Sequence, residues 1–255
     1  MIYVFRNKIK PYSDVILNFL FPSVCINCEA NIYNDILCDK CKSKINYISE
    51  YNICSNCGLE LHTYENYCLF CKSNNKFKSI RTVVRYDDIS RHIILNFKYS
   101  KVFECGDFIV SDIINHFPEL YKRIEFDYIT CVPTHFIKFA LRGYNHTQYI
   151  SKKLSNELGI PFRKLVSRSR YVKSQTKVPH SRRSENIKNS FRLCVKENLE
   201  NKNILLFEDV ITSGNTIKEI TAVLSAAKAN VFVLAYADAR HPQQLEDNIV
   251  HGYKL

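Results

Sequence analysis

Two textures divide the chain. Between residues 25 and 75 apolar residues occur singly or in short groups among Cys, Asn and polar turns, and no run is long enough to close a core by itself. From residue 79 onward, apolar runs of strand length alternate with segments of helical periodicity. Residues 80–86 (IRTVVRY), 127–132 (DYITCV), 162–167, 203–210 (NILLFEDV) and 230–236 (NVFVLAY) predict strands, the last two as near-continuous buried runs. Residues 88–99, 106–117, 145–158 and 216–228 predict helices, the last with Ile217, Ile220, Val223 and Leu224 on one side. Such alternation predicts an α/β fold, a parallel sheet flanked by helices on both faces. Ahead of the cysteines, residues 11–20 predict a short amphipathic helix, with Ser13 as cap and Val15, Ile16, Phe19 and Leu20 forming one face. The polar stretch 238–255 reads as a frayed end. The expected organisation is a module over residues 1–76, amphipathic helix plus cysteine unit, and an α/β domain over 77–255.

Composition narrows the class. With 255 residues, 46% apolar and 24% charged, the chain falls in the globular range, which excludes wholesale disorder, collagen-like repeats and coiled coil. The apolar run 15–21 contains Asn18, is stopped by Pro22, and is shorter than the ~20 residues of a spanning helix. No signal peptide or transmembrane segment is therefore expected. The expected location is a reducing cytoplasm, where paired cysteines bind metal more often than they oxidise.

Eight of the eleven cysteines form four C-x-x-C pairs: Cys25, Cys28, Cys38 and Cys41, then Cys54, Cys57, Cys68 and Cys71. Each pair places two thiolates on one side of a tight knuckle, and two knuckles close a tetrahedron around Zn²⁺ at about 2.3 Å per sulfur. Four soft ligands with no open position make a structural metal. Redox dithiols and buried free thiols are the competing readings, and the fourfold repetition favours two zinc ions. Sequential pairing, one zinc per half, closes the shorter loops; a cross-braced pairing uses the same residues. His62, between the pairs of the second half, reads as a bystander.

The formal charge of +11 is uneven. Residues 1–80 carry nine basic against seven acidic residues, residues 81–255 carry 27 against 18, and residues 163–192 alone hold ten against the single Glu185. Such a run is by default a solvated loop, and it becomes an anion cradle only if a phosphate site lies beside it.

That site is the segment from Leu205 to Ile217, LLFEDVITSGNTI: a strand, two acids, a loop of hydroxyls and glycine, then a helix. At the carboxyl edge of a parallel sheet, such a loop turns backbone N–H groups toward one point and the helix adds its positive end. Gly214 permits a positive φ, while Thr212, Ser213 and Thr216 bring hydroxyl donors. Glu208 and Asp209 repel phosphate and need sugar hydroxyls or hydrated Mg²⁺ instead. Phosphate beside polyol means a sugar phosphate. A capped helix with solvent-facing acids is the ordinary alternative for any single strand-turn-helix.

FEDVITSGNTI resembles the phosphoribosyl pyrophosphate (PRPP) motif of type I phosphoribosyltransferases. With FPSVCINC, the later C-x-x-C pairs, FKYSKVF, VPTHFIKFALRGYNHTQYISKKL and SQTKVPHSRRSENIKNSF, nearly the whole chain is similar to the ComF family of competence-associated, phosphoribosyltransferase-like proteins. The family pattern has Asp where Glu208 stands, Thr where Ser213 stands and Gln where His146 stands. The resemblance implies a type I phosphoribosyltransferase-like domain behind a double zinc ribbon. It implies PRPP binding by Glu208, Asp209, Thr212, Ser213, Gly214, Asn215 and Thr216, with Thr134, His135, Arg142 and Asn145 near the pyrophosphate. Asp209, Glu208 and Arg142 are the residues on which catalysis would rest, with Mg²⁺ accompanying PRPP. It further implies a hood over the substrate from the basic stretch 168–192, with Gln175, Lys177, Arg182, Arg183 and Asn186 as its polar contacts.

Two functions follow as expectations. One is a Mg²⁺-dependent phosphoribosyltransferase, a glycosyltransferase of unspecified acceptor, associated with DNA uptake and natural transformation. The other is a non-catalytic protein that binds single-stranded DNA, has PRPP as ligand or regulator, and works beside DNA-uptake or recombination proteins. Tyr171, His180 and Phe191 would stack on bases within the basic stretch. His135, His146 and His180 are candidate general bases, each read rather as an ordinary polar contact.

Overall fold

A computed structural model of the chain describes residues 23–33, 35–49, 51–61, 66–68, 71, 76–134, 136–168 and 190–240. The expected helix 11–20 and residues 241–255 lie outside them. So do His62, His135 and residues 169–189, and with these Gln175, Lys177, Arg182, Arg183 and Asn186.

The cysteine region contributes two short strands, β1 (Ser23–Val24) and β2 (Asn31–Ile32), paired antiparallel, and one helical turn, α1 (Asp39–Lys42). Then follow β3 (Ser79–Arg85), α2 (Asp88–Leu95), a π-helical turn (Asn96–Ser100) and α3 (Phe103–Leu120). After β4 (Tyr128–Cys131) come α4 (Phe136–Arg142), α5 (His146–Leu158), β5 (Val166–Arg168) and β6 (Phe191–Leu193). The chain ends its described part with β7 (Asn203–Ile211), α6 (Asn215–Ala226) and β8 (Asn230–Asp238). The main sheet runs β3-β8-β7-β4, all parallel, as the strand-helix alternation requires.

Period-two alternation within β7 divides the core. Leu205 and Phe207, with Leu234 and Tyr236 of β8, face one side, where Ile93, Ile109, Ile113, Ile150 and Leu154 of α2, α3 and α5 cover them. Ile204 and Leu206, with Val231 and Val233, face the other, under Ile217, Ile220 and Leu224 of α6. That second face carries one main helix, and Cys54, Cys57, Leu59 and Cys68 complete its cover. The helices expected on both faces are present, but a metal module replaces part of one layer.

Three expectations change. Helix 88–99 stops at Leu95 and widens into the π-helical turn. Between β4 and the helix expected from residue 145 lies a further helix, α4, that the periodicity did not indicate. The start of the stretch expected to fray does not fray: Asp238 and Arg240 are each 5% exposed, with the guanidinium donating to both carboxylate oxygens at 2.9 and 2.6 Å. A polar sequence hid a buried ion pair because the two charges are matched by each other. Among the described residues, no helix is long and apolar enough to cross a membrane.

Candidate functional site

Adjacent parallel strands β4 and β7 end side by side, with Cys131 opposite Phe207 and the Val132 amide donating to the Phe207 carbonyl at 3.0 Å. Loops leaving these two strands therefore meet at one carboxyl edge. Glu208 and Asp209 stand near the end of β7, and past the strand come the exposed Thr212 and Ser213 and then Gly214 at φ 72°, before α6 starts at Asn215. Gly214 is the N-cap and supplies no side-chain acceptor, so the first amides of α6 have no capping side chain. A 12-residue helix with such an end suits an anion.

Asp209 is 5% exposed and forms the centre of an ion cluster. Its Oδ2 takes the Lys98 ammonium and His146 Nε2, the latter at 3.0 Å, while Oδ1 accepts from the Val210 amide at 2.8 Å. Burial alone would raise this carboxyl, but the charge of Lys98 and the contact with His146 hold it well below the usual carboxylate range. Glu208 goes the other way: burial and the neighbouring Asp209 anion push it well above its ordinary value. The pair thus favours one negative charge, on Asp209, with the proton kept on Glu208.

Arg142 closes α4 and is 8% exposed. One terminal nitrogen lies 2.9 Å from His146 Nδ1 and the other donates to the Tyr99 hydroxyl at 3.1 Å; the guanidinium carbon sits 4.8 Å from the Tyr99 ring centroid. Because Arg142 only donates, His146 Nδ1 accepts, which leaves its proton on Nε2 to be donated to Asp209. Burial lowers the His146 pKa, in keeping with a neutral ring, although Asp209 pulls the other way. Asn145 caps α5: its Oδ1 accepts from the Gln148 amide at 3.2 Å and from the Thr134 hydroxyl at 2.9 Å, tying the β4 loop to the helix. Gly143, at φ 78°, makes the turn between α4 and α5 that sets Arg142 and His146 side by side.

Lys98 and Tyr99 come from the π-helical turn, whose anchor is Phe97. This ring is 1% exposed and packs so closely on α3 that a Cβ at Gly106 would lie 2.6 Å from it. The Tyr144 hydroxyl donates to the Phe97 carbonyl, and Phe103, Tyr144 and Tyr149 surround the Phe97 ring at 5.4 to 6.3 Å.

Of the expected residues, Glu208, Asp209 and Arg142 thus join one contact network through His146, and Thr134 and Asn145 form a second pair at the start of α5. Sequence reasoning assigned no role to Lys98 or Tyr99, although FKYSKVF carries both. It also set His146 aside as an ordinary contact, whereas the ring links Arg142 to Asp209. Phe191, expected to stack on bases, is 6% exposed and lies beneath the Arg168 guanidinium at 5.3 Å, which makes it part of the core.

The cysteines group sequentially: Cys25, Cys28, Cys38 and Cys41 in one cluster, Cys54, Cys57, Cys68 and Cys71 in the other, all sulfurs of each within 4.8 Å of one another. Neighbouring sulfurs are 3.7 Å apart for Cys28 and Cys38 and 3.5 Å for Cys57 and Cys68. Zn–S bonds of about 2.3 Å in a tetrahedron require S···S edges of about 3.8 Å, so both clusters fit a structural zinc.

Residues 16–72 match the double zinc ribbon domain family and residues 149–252 the phosphoribosyl transferase domain family. Competence protein F of Haemophilus influenzae is 27% identical over 216 residues, covering 82% of this chain and 93% of that protein. Competence protein ComFC of Streptococcus pneumoniae is 28% identical over 198 residues, covering 76% and 83%. The DNA utilization protein YhgH of Salmonella typhi is 29% identical over 112 residues, covering 42% and 48%.

Proposed function

We propose that this chain, a member of the ComF/ComFC family in which a double zinc ribbon precedes a phosphoribosyltransferase domain, binds PRPP at the carboxyl edge of β4 and β7. One observation carries the reading: half-buried Glu208 and buried Asp209 stand near the carboxyl end of parallel strand β7, and three residues after that strand a left-handed glycine opens an uncapped helix N-terminus. The 5′-phosphate would take the first amides of α6 and the hydroxyls of Thr212, Ser213 and Thr216. Glu208 and Asp209 would accept the ribose hydroxyls. Arg142 and Thr134 would face the pyrophosphate, where guanidinium geometry suits phosphoryl oxygens. The carboxylate oxygens of Glu208 and Asp209 are hard donors that would also suit the Mg²⁺ accompanying PRPP, and Mg²⁺ would supply neutralisation of the leaving pyrophosphate.

The protein's part in any transfer is to position and to neutralise. Both His146 nitrogens are engaged, one by Arg142 and one by Asp209, so this ring is not a free base. A phosphoribosyl acceptor would accordingly bring its own nucleophile. Titration calorimetry with PRPP and Mg²⁺ tests the binding: wild type should release heat and Asp209→Ala should abolish it, whereas no heat from folded wild-type protein rejects the reading. Pyrophosphate release across a panel of nucleobases then separates transferase from binder.

A second reading, single-stranded DNA handling beside uptake or recombination proteins, is favoured by an apolar rim next to Arg142. Tyr99 and Phe139 are 63% and 46% exposed, aromatic faces on which bases stack, and Leu141 beside them is 82% exposed. DNA competed off by PRPP would place both ligands in one groove; simultaneous binding would separate them.

A further inference from the structure

We propose that Lys98 makes the site selective for PRPP over sugar phosphates that lack the pyrophosphate, an inference that rests on the PRPP reading above. The Lys98 ammonium contacts the Asp209 oxygen that a ribose hydroxyl would need. Lys98 and Asp209 side chains are 16% and 7% exposed, so the pair is largely removed from water. A hydroxyl that displaces Lys98 from Asp209 leaves the ammonium without a carboxylate in a poorly solvated position, which is costly. The displacement becomes favourable only when the ligand brings a new anion within the lysine's reach.

The neighbouring groups indicate where that anion would lie. Tyr99, next in the chain, accepts from Arg142, and Arg142 contacts His146, which shares Asp209 with Lys98. The ammonium therefore already sits beside the group proposed to meet the pyrophosphate. The backbone of the turn is held by Phe97 against Gly106 and by the Tyr144 hydroxyl, so only the side chain need move. A lysine suits that movement: a compact charge on a flexible stem exchanges one oxygen for another, where a planar guanidinium is bound to a fixed geometry. Ribose 5-phosphate and nucleoside monophosphates offer the 5′-phosphate and hydroxyls but no anion at this end. Lys98 thus releases Asp209 to PRPP and withholds it from these compounds.

The test is calorimetry on full-length, zinc-loaded protein with Mg²⁺, titrating PRPP and ribose 5-phosphate into wild type, Lys98→Met and Lys98→Arg. Loss of a charged hydrogen bond should weaken PRPP binding by about tenfold or more in Lys98→Met. Ribose 5-phosphate binding should stay level or strengthen, because Asp209 no longer has to be vacated. The affinity ratio then collapses from both sides, and Lys98→Arg should restore it in part. A ratio unchanged from wild type in folded Lys98→Met, judged by its melting temperature, overturns the assignment, as does an equal loss for both ligands. If Lys98→Met does not fold, Lys98→Arg and Lys98→Gln are read by the same ratio. Wild-type protein that binds ribose 5-phosphate but gains nothing from the pyrophosphate overturns the selectivity while leaving a sugar-phosphate site. Wild type that binds neither overturns the PRPP reading and this inference with it.

Discussion

The two cysteine clusters share a spacing pattern but not a setting. In the first, Cys28 is exposed and Cys38 half-buried, and the knuckles dock on the face covered by α2 and α3. Asn27 makes the joint, its amide donating to Cys41 Sγ at 3.3 Å and its carbonyl oxygen 2.9 Å from His92 Nδ1 on α2. In the second, Cys54, Cys57 and Cys68 are buried under α6, the helix that opens at the proposed phosphate loop. Gly58, at φ 68°, brings that knuckle so close to β3 that a Cβ would lie 2.7 Å from the Ile80 carbonyl oxygen. Arg240 then donates to the Cys57 carbonyl at 2.8 Å. Between the halves, residues 46–48 run antiparallel along β3, through the Tyr47–Val84 bridge, and cover its free edge. One motif is thus used twice: the first half buries Cys25 and Cys41 against the α2–α3 face and turns Cys28 and Cys38 outward, whereas the second buries three of its four cysteines beneath α6.

This contrast can be broken in four ways. The largest effect is expected from Cys57→Ala. It removes a fully buried ligand, and both zinc binding at that centre and the packing of α6 should fail, seen as loss of the cooperative melting transition and of PRPP heat together. A variant that loses one zinc yet binds PRPP normally would show the second cluster to be as peripheral as the first.

Next is Arg240→Met, which leaves Asp238 buried without its partner. Breaking such a pair costs about 3–5 kcal/mol, so the melting temperature should fall sharply at neutral pH. Restoration by a second change, Asp238→Asn, would identify the unpaired charge as the cause.

A smaller effect is expected from Cys28→Ala in the exposed half. Metal analysis should find about one zinc in place of two, with a modest fall in melting temperature and PRPP binding retained. Loss of PRPP binding here would erase the distinction between the halves.

The smallest concerns pH and the joint of Tyr47 with Asp112. The tyrosine hydroxyl donates to the Asp112 carboxylate at 2.9 Å, and Tyr236 donates to its other oxygen at 3.1 Å. Burial pushes the Asp112 carboxyl above its usual value, only partly offset by Tyr47, Tyr236 and the charge of His116. A carboxyl raised in the folded state lends stability that is complete below its unfolded pKa and lost as pH rises through the folded one. Asp112→Asn should therefore flatten the dependence of melting temperature on pH across the weakly acidic range, by about 1 kcal/mol or less. An unchanged pH profile would assign the dependence elsewhere.

Local pattern determined much of this protein. Strand and helix alternation from residue 79, the repeated C-x-x-C spacing and the acid-acid-hydroxyl-glycine loop each report physics confined to a dozen residues, and each was legible without a fold. Folding alone decided what depends on contacts between distant segments. The 110 residues between Lys98 and Asp209 conceal an ion pair, because no periodicity marks which charge will answer which. His146 reads as an ordinary polar residue until Arg142 and Asp209 close on its two nitrogens. Asp238 and Arg240 look like a fraying tail until burial removes the water that would otherwise solvate them. The common reason is that hydrophobic period and turn chemistry act along the chain, whereas charge pairing and desolvation act through space.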